Sequence, residues 1–274
     1  MDLPTKIIIF GRDHESMGQV YCEELASSAV ALGTSPGGTA KPNEDAAGAS
    51  VQGTEMVLAI ADGHWGRGAS EVAITKAMEL QGPDNSPYSE SETRARLFSV
   101  FEQVNNTLYE NVVSSPGAST PETTLIVGHI QDAASAKYLS WSSFGDSYLF
   151  LLREGQWKQL NTLQPRWLGY LSRISEEAET RAILWRYPGD EARYVGVASG
   201  LESGIEKVHF GDIVFMCTDG MLGSDKEPDP EVLQGMKGIL ASDMPPRARV
   251  EKMISSALAR GEKDNVSCVV AVIE

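Results

Sequence analysis

Met56-Val57-Leu58-Ala59-Ile60-Ala61-Asp62-Gly63-His64 is an apolar run closed abruptly by an acidic turn. Its length and aliphatic content are those of a buried strand, and the Asp-Gly pair stops it because glycine supplies the backbone conformation a turn needs. The same design returns twice: Ile213 to Cys217 runs into Thr218-Asp219-Gly220, and Asp264-Asn265 opens the strand-like run Val266 to Ile273. With Asn43-Glu44-Asp45 these make four acidic motifs spread over nearly the whole chain. A fold that brings the ends of those runs together builds a pocket lined only by oxygen donors. Carboxylates packed that closely repel one another unless cations neutralise them, so the pattern predicts a hard-metal site.

Further strand-like runs, rich in β-branched and aromatic residues, cover Lys6 to Phe10, Thr123 to Ile130, Ala136 to Ser142, Tyr148 to Leu152 and the short Trp157 to Leu160. Arg153-Glu154-Gly155-Gln156, between the last two, reads as a hairpin turn and makes neighbouring strands antiparallel. Helices are fewer and longer. In Glu92 to Val113 the residues Leu97, Phe101, Val104, Leu108 and Val112 recur at three- and four-residue steps, which lays one apolar stripe along a helix. Arg249 to Arg260 repeats that spacing and stops at Gly261, and a third helix is expected over Gly68 to Gln81. Gly82 to Ser91, rich in Pro, Ser and Asn, reads as an exposed loop. Runs of strands with a few long helices, without strict alternation, place the chain in the α+β class as a sandwich in which helices cover antiparallel sheets.

The 274 residues are 42% hydrophobic and 22% charged, the composition of an ordinary globular protein large enough for one sizeable core. A single domain over 1–274 is the expectation. The formal net charge of -15 disfavours nucleic acid and anionic membrane surfaces, since both would repel the chain. Cys22, Cys217 and Cys268 are odd in number and far apart, so neither a disulfide framework nor zinc spacing emerges. Ile7-Ile8-Ile9-Phe10 is too short for a signal sequence, and no run approaches the roughly 20 apolar residues of a membrane span. These features lead us to expect a soluble, cytoplasmic, monomeric protein.

Taken singly, none of the motifs is specific. Their order is Asn43-Glu44-Asp45, Asp62-Gly63-His64, Thr123-Thr124, Gly145-Asp146-Ser147, Gly211-Asp212 leading a strand into Thr218-Asp219-Gly220, and Asp264-Asn265-Val266-Ser267 before a terminal strand. From Lys41 to Ile273 this series resembles the metal-dependent (type 2C, PPM family) serine/threonine protein phosphatases. The resemblance implies a four-layer sandwich, two packed antiparallel sheets flanked by helices, with two Mg or Mn ions at one end that serve hydrolysis of phosphoserine and phosphothreonine in protein substrates. It implies that Asp62 bridges both ions, that Asp219 and Asp264 complete one metal site, and that Glu44 and the Gly63 carbonyl serve the other. Asp45 would hold a water of the metal shell, and Asp146 would belong to a weaker third site. His64 matches the position assigned to the general acid that protonates the leaving oxygen, a role that suits imidazole because its pKa lies near working pH. A histidine that only hydrogen-bonds a water on the metals would fit the same place. Asn265 would orient the loop of Asp264, Thr123 and Thr124 would pack or hydrogen-bond beneath the centre, and Glu71 reads as a solvated charge.

Several positions depart from that pattern. Ala40 stands where family members carry an arginine that grips phosphate, which leaves Lys41 as the neighbouring candidate for a phosphate contact. Trp65 replaces the first glycine after the Asp-Gly-His motif, and Tyr148 stands where an arginine often follows Gly-Asp-Ser. Gly223 takes the place of an aspartate ligand of the third metal, with Asp225 close by in sequence. Two other readings therefore accompany the first: a catalytically weak or silent member that acts as a binding module, and a phosphatase of small phosphate monoesters. The segment Pro165 to Arg193, which carries Arg166, Trp167, Arg173, Arg181 and Arg186 in an otherwise acidic chain, is expected to form a substrate-selecting loop or flap.

Overall fold

The computed structural model describes residues 5–25, 29–39, 41–80, 89–114, 122–133, 136–163, 201–223 and 228–274. Ala40, Asp225 and the expected flap at 165–193 lie outside the described residues. Strands β1 (Lys6–Phe10), β4 (Ala46–Gln52), β5 (Glu55–Ala61), β8 (Leu125–Ala133), β9 (Ala136–Phe144) and β12 (Glu202–Val208) form a six-stranded sheet in that order. A second six-stranded sheet runs β11 (Gln156–Gln159), β10 (Tyr148–Arg153), β13 (Ile213–Cys217), β14 (Val266–Val272), β3 (Val30–Ser35) and β2 (Tyr21–Glu24). β6 (Gly63–His64) and β7 (Glu122–Thr123) pair separately. Neighbouring strands in each sheet are antiparallel, as the Arg153-Glu154-Gly155-Gln156 turn required. In that turn Arg153 faces Gln156 while Glu154 and Gly155 take φ values of 48° and 71°, the pair of left-handed residues that matches a two-residue hairpin to strand twist.

Three apolar layers hold the sandwich together. Leu58, Ile60 and Leu139 from the first sheet meet Leu32, Leu149, Met216 and Val269 from the second, forming the core between sheets. The alternate residues Val57, Ala59 and Ala61 point the other way, against α1 (Gly68–Ala77) and α2 (Glu90–Ser114) through Ile74, Leu97 and Phe101. Phe150, Phe215 and Val270 on the outer face of the second sheet pack with α3 (Pro230–Leu240) and α4 (Pro246–Ala259) through Met236, Val250, Met253 and Ile254. Both faces of the central strands are therefore covered, which is why β5 and β13 read as continuous apolar runs without polar alternation. The result is the α+β four-layer sandwich expected from the sequence. No helix among the described residues is long and apolar enough to cross a membrane.

Element bounds differ from expectation where tertiary packing intervenes. The strand expected over Thr123 to Ile130 breaks at Thr124, whose backbone N–H instead donates to the Asp62 carbonyl at 2.9 Å. The helix expected to reach Gln81 ends at Ala77, and α2 already takes in Glu90 and Ser91, the last two residues of the expected loop, whose residues 82–88 lie outside the described residues.

Register decides where the acidic motifs fall. Ala46 faces Ala61, so Asp45 and Asp62 leave the first sheet at one end. Cys217 faces both Cys268 and Tyr148, and Val266 faces Ser35, so Thr218-Asp219, Asp264-Asn265 and Asp146 leave the second sheet at a common end as well. Gly211-Asp212 lies at the opposite end of β13. There Asp212 receives the Arg153 guanidinium at 2.7 Å and the His209 N–H at 2.8 Å, which makes it a structural turn.

Candidate metal centre

The two sheet ends meet, and five aspartates feel one another there. Burial first, then the charges of Asp45, Asp219, Asp146 and Asp264, hold the Asp62 carboxyl well above the usual carboxylate range. Asp45 is pushed up to about 8 by burial, with Asp264 and Asp219 adding to the shift and hydroxyl donors at Ser267 and Thr218 opposing it. Glu44 is raised more mildly: burial dominates, and the Gly66 backbone N–H, Lys41 and Arg67 favour its ionised form. All these shifts have one physical meaning. The site gathers more negative charge than the protein alone can stabilise.

Hydrogen bonds fix the backbone beneath those carboxylates. The Asp62 N–H donates to Thr124 Oγ1 at 3.0 Å, the Thr123 hydroxyl donates to the Asp62 carbonyl at 2.9 Å, and the Thr124 and Ser147 hydroxyls are 2.7 Å apart. Thr123 and Thr124 thus occupy the supporting place expected of them. Asn265 Oδ1 accepts the Glu44 N–H at 2.9 Å while its amide donates to the Pro36 carbonyl at 3.2 Å, so one side chain joins the first acidic motif to the last. Gly63 is needed because a Cβ there would stand 2.3 Å from the Glu44 carbonyl oxygen. His64 Nδ1 lies 3.5 Å from Asp62 Oδ1, and His64 faces the buried Glu122 across the β6–β7 pair.

Other residues near and away from the centre find specific partners. Lys41 sits 3.6 Å from Asp264, so its ammonium balances a carboxylate of the centre. Glu71, expected to be a solvated charge, is instead largely buried and ion-paired with Arg12. His129 is buried beside Glu55 at 3.4 Å, and His14 packs on Tyr21 with ring centroids 4.1 Å apart and the rings tilted by 36°, both structural. Sequence reasoning missed Thr218, which donates to Asp45 at 3.1 Å, and Ser70, whose hydroxyl donates to the Glu44 carbonyl. A threonine directly before an Asp-Gly turn carried that signal. Nothing in the sequence marked Ser70.

The donor set fits a hard divalent cation. It consists of carboxylate and carbonyl oxygens with no thiolate, and Asp45 Oδ1 is buried without a hydrogen-bond donor. Among the described residues no three acidic, thiol or imidazole groups are drawn together at coordination spacing.

No protein-family model and no curated protein matches the chain by sequence. Solved structures do match. The Mycobacterium tuberculosis serine/threonine phosphatase PstP/Ppp superposes at a TM-score of 0.64 with 25% identity, over 89% of this chain and 98% of its own. The catalytic domain of serine/threonine protein phosphatase PstP in complex with two manganese ions gives 0.64 at 22% identity, over 93% and 99%. The S. agalactiae serine/threonine phosphatase gives 0.66 at 19% identity, over 93% and 100%. The chain has the fold of the bacterial serine/threonine phosphatases.

Within that phosphatase fold two departures acquire a conformation. Gly223 takes φ 91°, a backbone that L side chains rarely adopt, so the glycine suits its local turn and an aspartate would be strained there. Trp65 keeps a left-handed backbone at φ 60° despite being a bulky residue. Tyr148, in place of an arginine, is buried and stacks on Phe150 at 5.7 Å between centroids, so it lends the site no charge.

Proposed function

We propose that this chain is a single catalytic domain that hydrolyses phosphoserine and phosphothreonine in proteins with the help of two Mg or Mn ions. One observation carries the reading: Asp62 is surrounded by the charges of Asp45, Asp219, Asp146 and Asp264, brought from separate motifs to one end of the sandwich. Asp62, Asp219 and Asp264 would hold one ion, with Asp62 shared by a second held also by Glu44 and the Gly63 carbonyl. When bound, such a pair supplies a water acidic enough to ionise at neutral pH and neutralises the phosphoryl oxygens, so no protein nucleophile is required.

The chain's own groups supply the rest. Asp45, with Oδ1 buried and unpartnered and Oδ2 accepting the Thr218 hydroxyl, is set to hold a water of the metal shell. His64, partly exposed beside Asp62, is positioned at the rim, where it donates a proton to the departing serine or threonine oxygen. Lys41 offsets the charge of Asp264. Asp146 serves a third, weaker ion in this reading, and Gly223, whose φ of 91° disfavours an aspartate, leaves that ion short of ligands. Retention of all these carboxylates favours an enzyme over a silent binding module, because in the absence of cations their repulsion only destabilises the fold.

Purified protein is expected to hydrolyse an aryl phosphate and a phosphoserine peptide only when Mn is added. Asp62→Asn and Asp219→Asn should each lower the rate by several orders of magnitude with circular dichroism unchanged. Rates within a few-fold of wild type at saturating Mn would overturn the assignment.

A further inference from the structure

We infer, on the phosphatase reading above, that Trp65 contacts the substrate polypeptide and commits the site to phosphorylated protein chains over small phosphate esters. Trp65 directly follows His64, and the residue is 70% exposed. Its backbone stands at φ 60°, a region that a bulky residue enters only at a cost in free energy. Glu154 is the other non-glycine residue at positive φ among the described residues, and a two-residue hairpin explains it. No hairpin surrounds Trp65.

The site itself explains the backbone. His64 is held in the β6–β7 pair beside Asp62, while Gly66, at φ 128°, turns its N–H toward the Glu44 carboxylate. The chain must reverse between those two anchors, and residue 65 takes the reversal. Glycine would adopt that conformation without strain. The indole is what the backbone does not explain. It makes no aromatic-ring or cation–π contact among the described residues, and most of its surface stays in water. A bulky residue thus stands exposed where glycine would be unstrained, with no ring contact among the described residues, and a bound partner supplies its reason.

Location identifies that partner. An indole offers a large, rigid, flat surface with one N–H donor, suited to stacking on peptide planes, prolines and apolar side chains. A small ester ends at its leaving group. A polypeptide continues on both sides of the phosphorylated residue and crosses the rim that Trp65 occupies. Arg67, two residues on, pairs with Glu15 at 2.5 Å, so charged side chains follow the indole directly along the chain.

The test compares wild type, Trp65→Gly and Trp65→Phe at saturating Mn, on a phosphoserine peptide with residues on both sides and on p-nitrophenyl phosphate. Trp65→Gly should lower the ratio of kcat/KM for peptide over aryl phosphate about tenfold, mainly through peptide KM, and Trp65→Phe should recover most of it. Thermal unfolding with EDTA supplies a readout independent of turnover: Trp65→Gly should melt within about 2 °C of wild type or higher, because strain is released. A fall of several degrees would make Trp65 a structural residue and overturn the inference. Wild-type hydrolysis of both esters with an unchanged ratio in Trp65→Gly would also overturn it, leaving the phosphatase reading intact. If wild type hydrolyses neither ester, the phosphatase reading fails and this inference fails with it.

Discussion

The Thr218 hydroxyl donates to the Asp45 carboxylate across 3.1 Å, although 173 residues separate them. Thr218 ends a strand of the second sheet and Asp45 precedes a strand of the first, so this bond ties the two sheets at the site. The same oxygen accepts the Ser267 N–H at 3.1 Å. Thr218→Val removes both partners while keeping the shape. It is expected to cost about 1–3 kcal/mol, because buried polar groups are left unpaired. It should also weaken Mn binding, since Asp45 loses a donor that favours its ionised form. Urea unfolding and an Mn titration check both effects, and Thr218→Ser should restore them.

Charge repulsion at the centre gives the metal-free protein a pH-dependent stability. Burial and neighbouring charges raise Asp45 to about 8 and lift Asp62 in the same direction. The folded state therefore keeps protons that the unfolded chain, with carboxylates titrating near ~4, has already released. Stability from these groups is present below about pH 4 and is lost as pH rises from there toward about 8. With EDTA, the melting temperature should be lower at about pH 8 than at about pH 6; the rise on adding Mn should be larger at the higher pH, because cations and protons compete for the same oxygens. Scanning calorimetry at the two pH values decides the point, and a metal-induced shift that shrinks as pH rises would contradict it.

Close backbone approach makes Gly220 a sensitive glycine of the site. A Cβ there would stand 2.1 Å from the Asn265 carbonyl oxygen and 3.2 Å from Asp264 Cβ. Gly220→Ala must push the Asp219 and Asp264 loops apart, so it is expected to destabilise the fold by more than about 2 kcal/mol and to lower Mn affinity together with it. Gly68→Ala, in the first turn of α1 with nothing within 4 Å of the added carbon, is the control and should be neutral or mildly stabilising. Chemical unfolding of the two variants separates crowding at Gly220 from any general effect of replacing glycine.

What the sequence made legible follows from which residues carry their own signal. Strands β1, β5, β10, β13 and β14 are aliphatic and aromatic runs that no helix period fits, and they stand where expected. Strands β3 and β4 escaped because their sequences, VALGTS and AAGASVQ, are rich in small residues of low strand propensity. Packing selects those residues: a Cβ on Gly48 would lie 2.8 Å from Met78 Cγ, and one on Gly33 would lie 2.6 Å from Val250 Cγ1, so the flanking helices press against these strands. Helix α3 escaped because Gly235 and Gly238 weaken its pattern, although Asp229 caps it by accepting the Glu231 N–H at 2.7 Å and Pro230 opens its first turn. The acidic motifs were visible as residues. Their supports were not read as such: Thr218 stood in its motif without a stated partner and Ser70 carried no mark, since a hydroxyl shows its partner only after the chain has folded.

His64 carries the last prediction. Its Nδ1 lies 3.5 Å from Asp62 Oδ1, and its side chain keeps 25% of its surface in solvent, so the ring is near the centre yet open to an incoming ester. An acid matters most when the leaving group is poor. A serine alkoxide needs a proton as the bond breaks, whereas p-nitrophenolate departs as a stable anion. His64→Gln should therefore lower kcat on a phosphoserine peptide by about 10²- to 10⁴-fold, the usual worth of a positioned acid, and lower it far less on p-nitrophenyl phosphate. A histidine that only supports Asp62 predicts another pattern, since a distorted centre harms every phosphate ester alike. Parallel kcat measurements at saturating Mn separate the two roles: equal losses on both substrates would assign His64 to holding Asp62 and would leave proton delivery to water.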